Sequence, residues 1–134
     1  MKDNKTQISY GNNAEKFVAE TLASTNKVWV GNFNKSNTGS QPFDQIAITP
    51  EHTWCYDVKN CSTDRFDFSR VESNQEISLQ FIDSLDNPQV YTGFALVYDN
   101  KIYFLSNLEL GLKIKEGRKS VKVSTLTQML GVIL

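Results

Sequence analysis

The stretch from Gln41 to Lys59, QPFDQIAITPEHTWCYDVK, constrains the fold more than any other part of the chain. Two apolar segments of strand character, Phe43 to Ile48 and Thr53 to Val58, flank the turn-forming Thr49-Pro50-Glu51-His52, so the spacing predicts an antiparallel hairpin. Closing the turn on those four residues pairs Ile48 with Thr53, Ala47 with Trp54, Ile46 with Cys55, Gln45 with Tyr56 and Asp44 with Asp57. Alternation then puts Asp44, Ile46, Ile48, Cys55, Asp57 and Lys59 on one face and Phe43, Ala47, Trp54, Tyr56 and Val58 on the other. Directly opposed side chains have Cβ atoms roughly 4.5–5.5 Å apart, where like charges repel. Two opposed aspartates therefore call for a cation, and a divalent metal on hard oxygen ligands beside Lys59 is the expected occupant.

A chain of 134 residues predicts one domain, 1–134, with 1–10 flexible. No apolar run approaches the ~20 residues that span a bilayer. The polar start, MKDNKTQISYGNN, lacks a signal-peptide core, so a cytoplasmic protein without membrane partners is expected. Cys55 and Cys61 have neither CxxC spacing nor nearby histidines, which argues for reduced thiols rather than a zinc site. The net charge of −1 hides an uneven distribution. Residues 1–40 carry +2, residues 41–100 carry −7 and residues 101–134 carry +4, a pattern that fits a metal-collecting middle with phosphate-binding edges and equally an ordinary mixed surface.

In chain order, AEKFVAETLAS predicts a helix capped by Asn12 or Asn13, with Ala14, Phe17, Val18, Thr21 and Leu22 inward and Glu15 bordering that face. Lys27 to Phe33 is strand-like, and residues 34–41 form a polar loop. After the hairpin, Asn60 to Arg70 is a flexible or strand-like excursion. Ser73 to Leu85 predicts a second helix, capped by Ser73, with Ile77, Phe81, Ile82 and Leu85 inward and Gln75 in its first turn. Thr92 to Tyr98 and Lys101 to Ser106 are strands around an Asp99-Asn100 turn. A short helix from Asn107 to Ile114, a basic turn at 115–120 and an apolar tail, expected on the core or on a second subunit, complete the chain. The order predicts an α/β or α+β protein with a central mixed β-sheet flanked by helices. His52 is the sole histidine and has no evident partner for nucleophilic catalysis.

An acid two residues before a lysine is weak evidence by itself, because this composition supplies roughly one match by chance. Context distinguishes Asp57-Val58-Lys59. With a helical Glu15 upstream and Pro42-Phe43-Asp44 between, the chain resembles the PD-(D/E)XK nuclease superfamily. Gln75, the run GFALVYDNKIYFLSNLEL and Gly117-Arg118-Lys119-Ser120-Val121 are further similar to the RecU-type Holliday junction resolvases of Gram-positive bacteria and their phages. The loop Gly39 to Asp44 is also similar to the archaeal junction resolvases. Asp57 stands where these resolvases more often have Glu, and neither a long basic N-terminal arm nor an insertion large enough for the family's stalk is present.

The resemblance implies a restriction-endonuclease-like core and a metal-dependent DNA endonuclease. Asp44, Asp57, the Val58 carbonyl and Glu15 would hold Mg²⁺ or Mn²⁺, Lys59 would orient water or stabilise the transition state, and Gln75 would help place the water or the metal shell. Lys35, Arg65, Arg70, Arg118 and Lys119 are the expected DNA-backbone contacts. A four-way junction as substrate implies a homodimer, since two-fold substrates favour two-fold proteins. The competing readings are a restriction-type or repair endonuclease on linear duplex, and a non-catalytic nucleic-acid- or protein-binding domain.

Overall fold

A computed structural model describes residues 10–25, 27–33 and 42–133. The expected flexible segment, apart from residue 10, and the polar loop with Lys35 lie outside the described residues. The elements are α1 (Tyr10–Ala23), β1 (Trp29–Asn32), β2 (Gln45–Ile48), β3 (Thr53–Asn60), β4 (Phe66–Asp67), a 3₁₀ turn (Phe68–Arg70), α2 (Ser73–Ser84), β5 (Val90–Tyr98), β6 (Lys101–Ser106), α3 (Asn107–Lys115), β7 (Ser120–Val121), a 3₁₀ turn (Val123–Thr125), β8 (Thr127–Gln128) and α4 (Met129–Ile133).

Six strands form one mixed sheet in the order β1-β2-β3-β5-β6-β8, and β4 pairs with β7 in a separate ribbon. Only β3 and β5 run parallel, joined by the crossover through α2, and they occupy the centre. Central parallel strands are covered on both faces, which explains why TGFALVY reads as a nearly continuous apolar run. Asp99 and Asn100 both take positive φ, 51° and 60°, as a tight two-residue hairpin turn requires. On one face Ala14, Val18 and Leu22 of α1 and Met129 of α4 pack against Trp54, Tyr56, Ala95 and Phe104. On the other, Leu79 of α2 and Leu110 of α3 pack against Cys55, Phe94, Leu96 and Leu105. The mixed sheet flanked by helices is the architecture the sequence predicts.

Four of the five predicted hairpin pairs are present, from Gln45↔Tyr56 to Ile48↔Thr53. The fifth is not. The Asp44 amide donates to the Tyr56 carbonyl at 3.1 Å, although the ladder already pairs Tyr56 with Gln45. Two residues thus face one, a β-bulge that slips the alternation by a residue. Phe43 consequently packs with Cys55 and Leu96, not with Trp54 and Tyr56 as strict alternation predicts.

Other boundaries shift for local reasons. The first helix begins at Tyr10, so Asn12 and Asn13 fall inside it instead of capping it. Glu72, not Ser73, is the N-cap of α2, and it makes no side-chain cap bond. The excursion after the hairpin is more ordered than expected: β3 continues to Asn60 and β4 then joins the ribbon. The inward stripe of α2 is Gln75, Leu79 and the half-buried Ile82, whereas Ile77, Phe81 and Leu85 are exposed. Polar anchors set this rotation. Gln75 donates to Asp57, and Asp83, two turns later on the same side, accepts from Thr92 and Asn107. The tail docks on this chain's own core, with Met129 fully buried and Leu130 packed beside it.

Candidate functional site

The β2–β3 hairpin and the start of α2 bring Asp44, Asp57, Lys59 and Gln75 together. Asp57 lies in mid-β3 and is fully buried, and Asp44 is nearly so. Asp44 Oδ2 accepts from the Val58 amide at 2.8 Å, in the place of a ladder carbonyl that the bulge removes. Asp57 Oδ1 accepts from Gln75 Nε2 at 2.8 Å, and Asp57 Oδ2 stands 3.1 Å from Lys59 Nζ. Lys59 also reaches the largely exposed Glu72 at 3.4 Å.

Burial first, and then the neighbouring Asp44 carboxyl through hydrogen bonding and repulsion, raise the Asp57 carboxyl to about 8. Lys59 opposes this shift without cancelling it. Burial disfavours a charged carboxylate, and a second carboxyl disfavours it further, so one ammonium at the rim leaves the pair undercompensated. Two buried oxygens carry the same message. Asp57 Oδ2, despite its ion pair, lacks an aligned hydrogen-bond donor, and Gln75 Oε1 has none. Two acids and two underserved oxygens facing one corner are a donor set of the hard-oxygen type that fits Mg²⁺ or Mn²⁺.

Glu15 touches the hairpin through its main chain: its carbonyl accepts from Gln45 Nε2 at 2.6 Å. Gln45 is completely buried; it also donates to Asn32 Oδ1 and accepts from Tyr56 Oη, and so clamps α1 to the sheet one residue from Asp44. Among the described residues no three His, Cys, Asp or Glu side chains stand close enough to share an ion, so Asp44 and Asp57 form a pair and not a triad. Gln45 and Glu72 are the residues that sequence reasoning missed. A polar residue within the apolar stretch Phe43 to Ile48 was the available signal for Gln45; Glu72 offered none beyond its place before a helix.

The β4–β7 ribbon gathers most of the expected phosphate contacts. Arg65 Nη1 donates to Ser120 Oγ at 2.6 Å, the Phe68 amide donates to the Lys119 carbonyl, and the Arg70 guanidinium lies 5.5 Å from the Phe66 ring centroid. Arg118 and Lys119 are exposed on the turn entering β7. Cys55 and Cys61 are buried free thiols, and burial pushes Cys55 up to about 11, away from nucleophilic use. His52 stacks on Tyr91 at 4.7 Å, at the turn end of the hairpin. Among the described residues no helix is long and apolar enough to cross a membrane.

The sequence matches no family model and no curated protein. The fold is similar to that of Hjc, a Holliday junction resolvase from the archaeal hyperthermophile Archaeoglobus fulgidus. The TM-score is 0.61 over 88% of this chain and 94% of that one, with 12% sequence identity. At this identity the likeness is one of fold, and it gives the six-stranded mixed sheet with flanking helices a nuclease-like counterpart.

Proposed function

We propose that the protein is a divalent-metal-dependent DNA endonuclease that acts on four-way junctions as a homodimer. The observation that carries this reading is the buried Asp44–Asp57 pair, with Lys59 on one carboxylate and two oxygens lacking hydrogen-bond donors. The likeness of fold to a junction resolvase supports the choice of substrate.

In this reading Asp44, Asp57 and the Val58 carbonyl would hold Mg²⁺ or Mn²⁺, without the Glu15 side chain, which does not stand with the two aspartates. The ion supplies positive charge against the scissile phosphate and acidity to the attacking water. The protein's own groups do the positioning. Gln75 fixes the Asp57 rotamer through Oδ1 and leaves Oδ2 directed into the site. The Val58 amide orients Asp44. Lys59, 3.1 Å from Asp57 Oδ2, would present its ammonium to the charge that grows on the phosphate. Arg65, Arg70, Arg118 and Lys119, with Lys35, would bind the DNA backbone and fix its register, contributing affinity that falls with salt.

The test is cleavage of a synthetic four-way junction and of a linear duplex of equal sequence, with Mg²⁺ and then with EDTA. Junction cutting that EDTA abolishes is the expected result. Asp57→Ala and Lys59→Ala should each remove it while DNA binding persists. No metal-dependent cutting of either substrate would sink the nuclease reading, and equal cutting of both would remove the junction from it.

A further inference from the structure

The sheet face that carries Asp57 is covered by α2 and α3 over its central strands and is exposed at the β1 edge. Val28 and Val30 pack into the opposite core with Trp54 and Tyr56, so alternation turns Trp29 and Gly31 toward the face of Asp57. Phe33 continues that row: its ring meets Phe43 edge-on at 5.0 Å, and Phe43 belongs to the core on the same side. Trp29 is 61% exposed, Ile48, its partner across the ladder, 43%, and Phe33 39%. Gly31 explains how the indole is held. A Cβ there would come within 2.6 Å of Trp29 Cη2 and 2.9 Å of Cζ3, so the ring lies back over the glycine instead of standing free in solvent. A ring already seated loses little conformational freedom when something stacks on it.

The row leads to the acid pair. The Phe33 amide donates to the Asp44 carbonyl at 3.1 Å. Trp29 lies four residues earlier, about 13 Å back along an extended chain. That length matches about four nucleotides of a stacked strand. Charge indicates the occupant. On residues 27–33 and 42–50 the charged side chains are the exposed Lys27 and the buried Asp44, so among these residues no exposed acid stands along the row. The exposed acid of the hairpin, Glu51, sits in its turn, past Ile48. The α2–α3 side of the same face carries Glu72, Glu76, Asp83, Asp86, Glu109 and Glu116 against Lys113 and Lys115, which repels a phosphate backbone. A polyanion approaching the acid pair is admitted along β1 and disfavoured over the helices. Aromatic side chains on an open sheet face are an arrangement on which the bases of a single strand stack, and such stacking needs bases that are not paired in a duplex.

We infer that the β1 face is a stacking platform for unpaired bases of the strand to be cut, with Trp29 as its anchor and Phe33 at the end beside Asp44. The inference rests on the nuclease reading and deepens it, by making a short run of unpaired bases part of the substrate; its test is binding in EDTA and needs no cutting. Titrating the full chain with a short oligothymidylate should quench tryptophan emission through Trp29, because the other tryptophan, Trp54, is 2% exposed. This is read on the unaltered chain and does not depend on the folding of any variant. Anisotropy of the labelled oligonucleotide should show binding weakened by about fivefold or more in Trp29→Ala and by less than about twofold in Trp29→Phe, which keeps a ring. Gly31→Ala keeps the indole but puts a methyl group where it rests, so it should weaken binding by about twofold or more with unchanged circular dichroism. Affinity for a blunt duplex, whose bases are already paired, should change by less than about twofold in each variant. No quenching, unchanged affinity in Trp29→Ala, or equal losses for single strand and duplex overturns the inference and leaves the cleavage reading standing. Emission that shifts with protein concentration before DNA is added would place a second copy on the ring and overturns it as well. Single-strand binding that depends on Trp29, in a protein without metal-dependent cutting, would remove the nuclease reading and leave the platform in place.

Discussion

The two longest helices cover opposite faces of one sheet and use their apolar residues in opposite ways. The first helix buries Ala14, Val18 and Leu22 and partly buries Phe17, so its apolar stripe and its inner face coincide. The second buries Gln75 with Leu79 and turns Ile77, Phe81 and Leu85 outward. Burying an amide while exposing three large apolar side chains is costly in water unless each is compensated. For Gln75 the compensation is the hydrogen bond to Asp57. Periodicity reports the inner face of a helix that serves only the core. It fails where polar anchors at both ends hold the helix in another rotation.

The largest expected effect separates the helices by stability. Leu22→Ala should destabilise the protein by about 2–5 kcal/mol, since it empties a fully buried site beneath the sheet. Phe81→Ala, with the larger side chain, should change stability by about 0.5 kcal/mol or less in urea titrations of dilute, monomeric protein. Comparable losses would mean that Phe81 packs on its own chain and that the contrast between the helices is false.

A middle-sized effect concerns what Gln75 is buried for. Asp57 has a carboxyl raised to about 8 in the folded protein, against an ordinary value of 3.8, through burial and Asp44. A raised folded pKa means that the folded state holds the proton longer than the unfolded state. Stability from this group is therefore greatest at low pH, falls as pH rises from about 4 to about 8, and levels off above that. Asp57→Asn keeps an oxygen to accept from Gln75 and removes the charge. In chelator it should match the unaltered protein in melting temperature near pH 4 and exceed it increasingly up to pH 8. Mg²⁺ or Mn²⁺ should narrow the gap by stabilising only the unaltered protein. A gap independent of pH would show that the carboxylate is not the destabilising group.

The legible part of the fold was the part that chain-local rules control. Four hairpin pairs followed from turn spacing and alternation, and β5 and β6 followed from apolar runs about Asp99-Asn100. The bulge at Asp44 was not legible, because alternation cannot see an extra residue whose amide shares a carbonyl already in use. It matters to the site: without it the Asp44 side chain would oppose Asp57 squarely, whereas with it Asp44 is latched to the Val58 amide. The rotation of α2 was hidden for a related reason, since it depends on Gln75 and Asp83 meeting partners 18 and 24 residues away in sequence. The acids and Lys59 could be named from the sequence, but the orphaned oxygens behind the proposed cation site required three dimensions.

The smallest expected effect lies at the polar start of α2, one turn before its exposed row. Glu72 shares the Lys59 ammonium with Asp57, at 3.4 Å against 3.1 Å, and its own side chain is largely solvated. Solvation leaves such a pair with little net stability, so Glu72→Gln should move the unfolding free energy by about 0.5 kcal/mol or less. Its effect on cutting follows from geometry. If Lys59 must leave Asp57 Oδ2 to meet the phosphate, Glu72 is the acceptor already in place to steady it. Glu72→Gln, which keeps an oxygen but loses the charge, should then slow junction cutting by less than about tenfold without changing DNA affinity, far short of the loss in Lys59→Ala. Single-turnover rates beside binding isotherms separate the two quantities. An unchanged rate would confine Lys59 to its contact with Asp57, and a tighter affinity with an unchanged rate would mean that Glu72 acts only by repelling the DNA backbone.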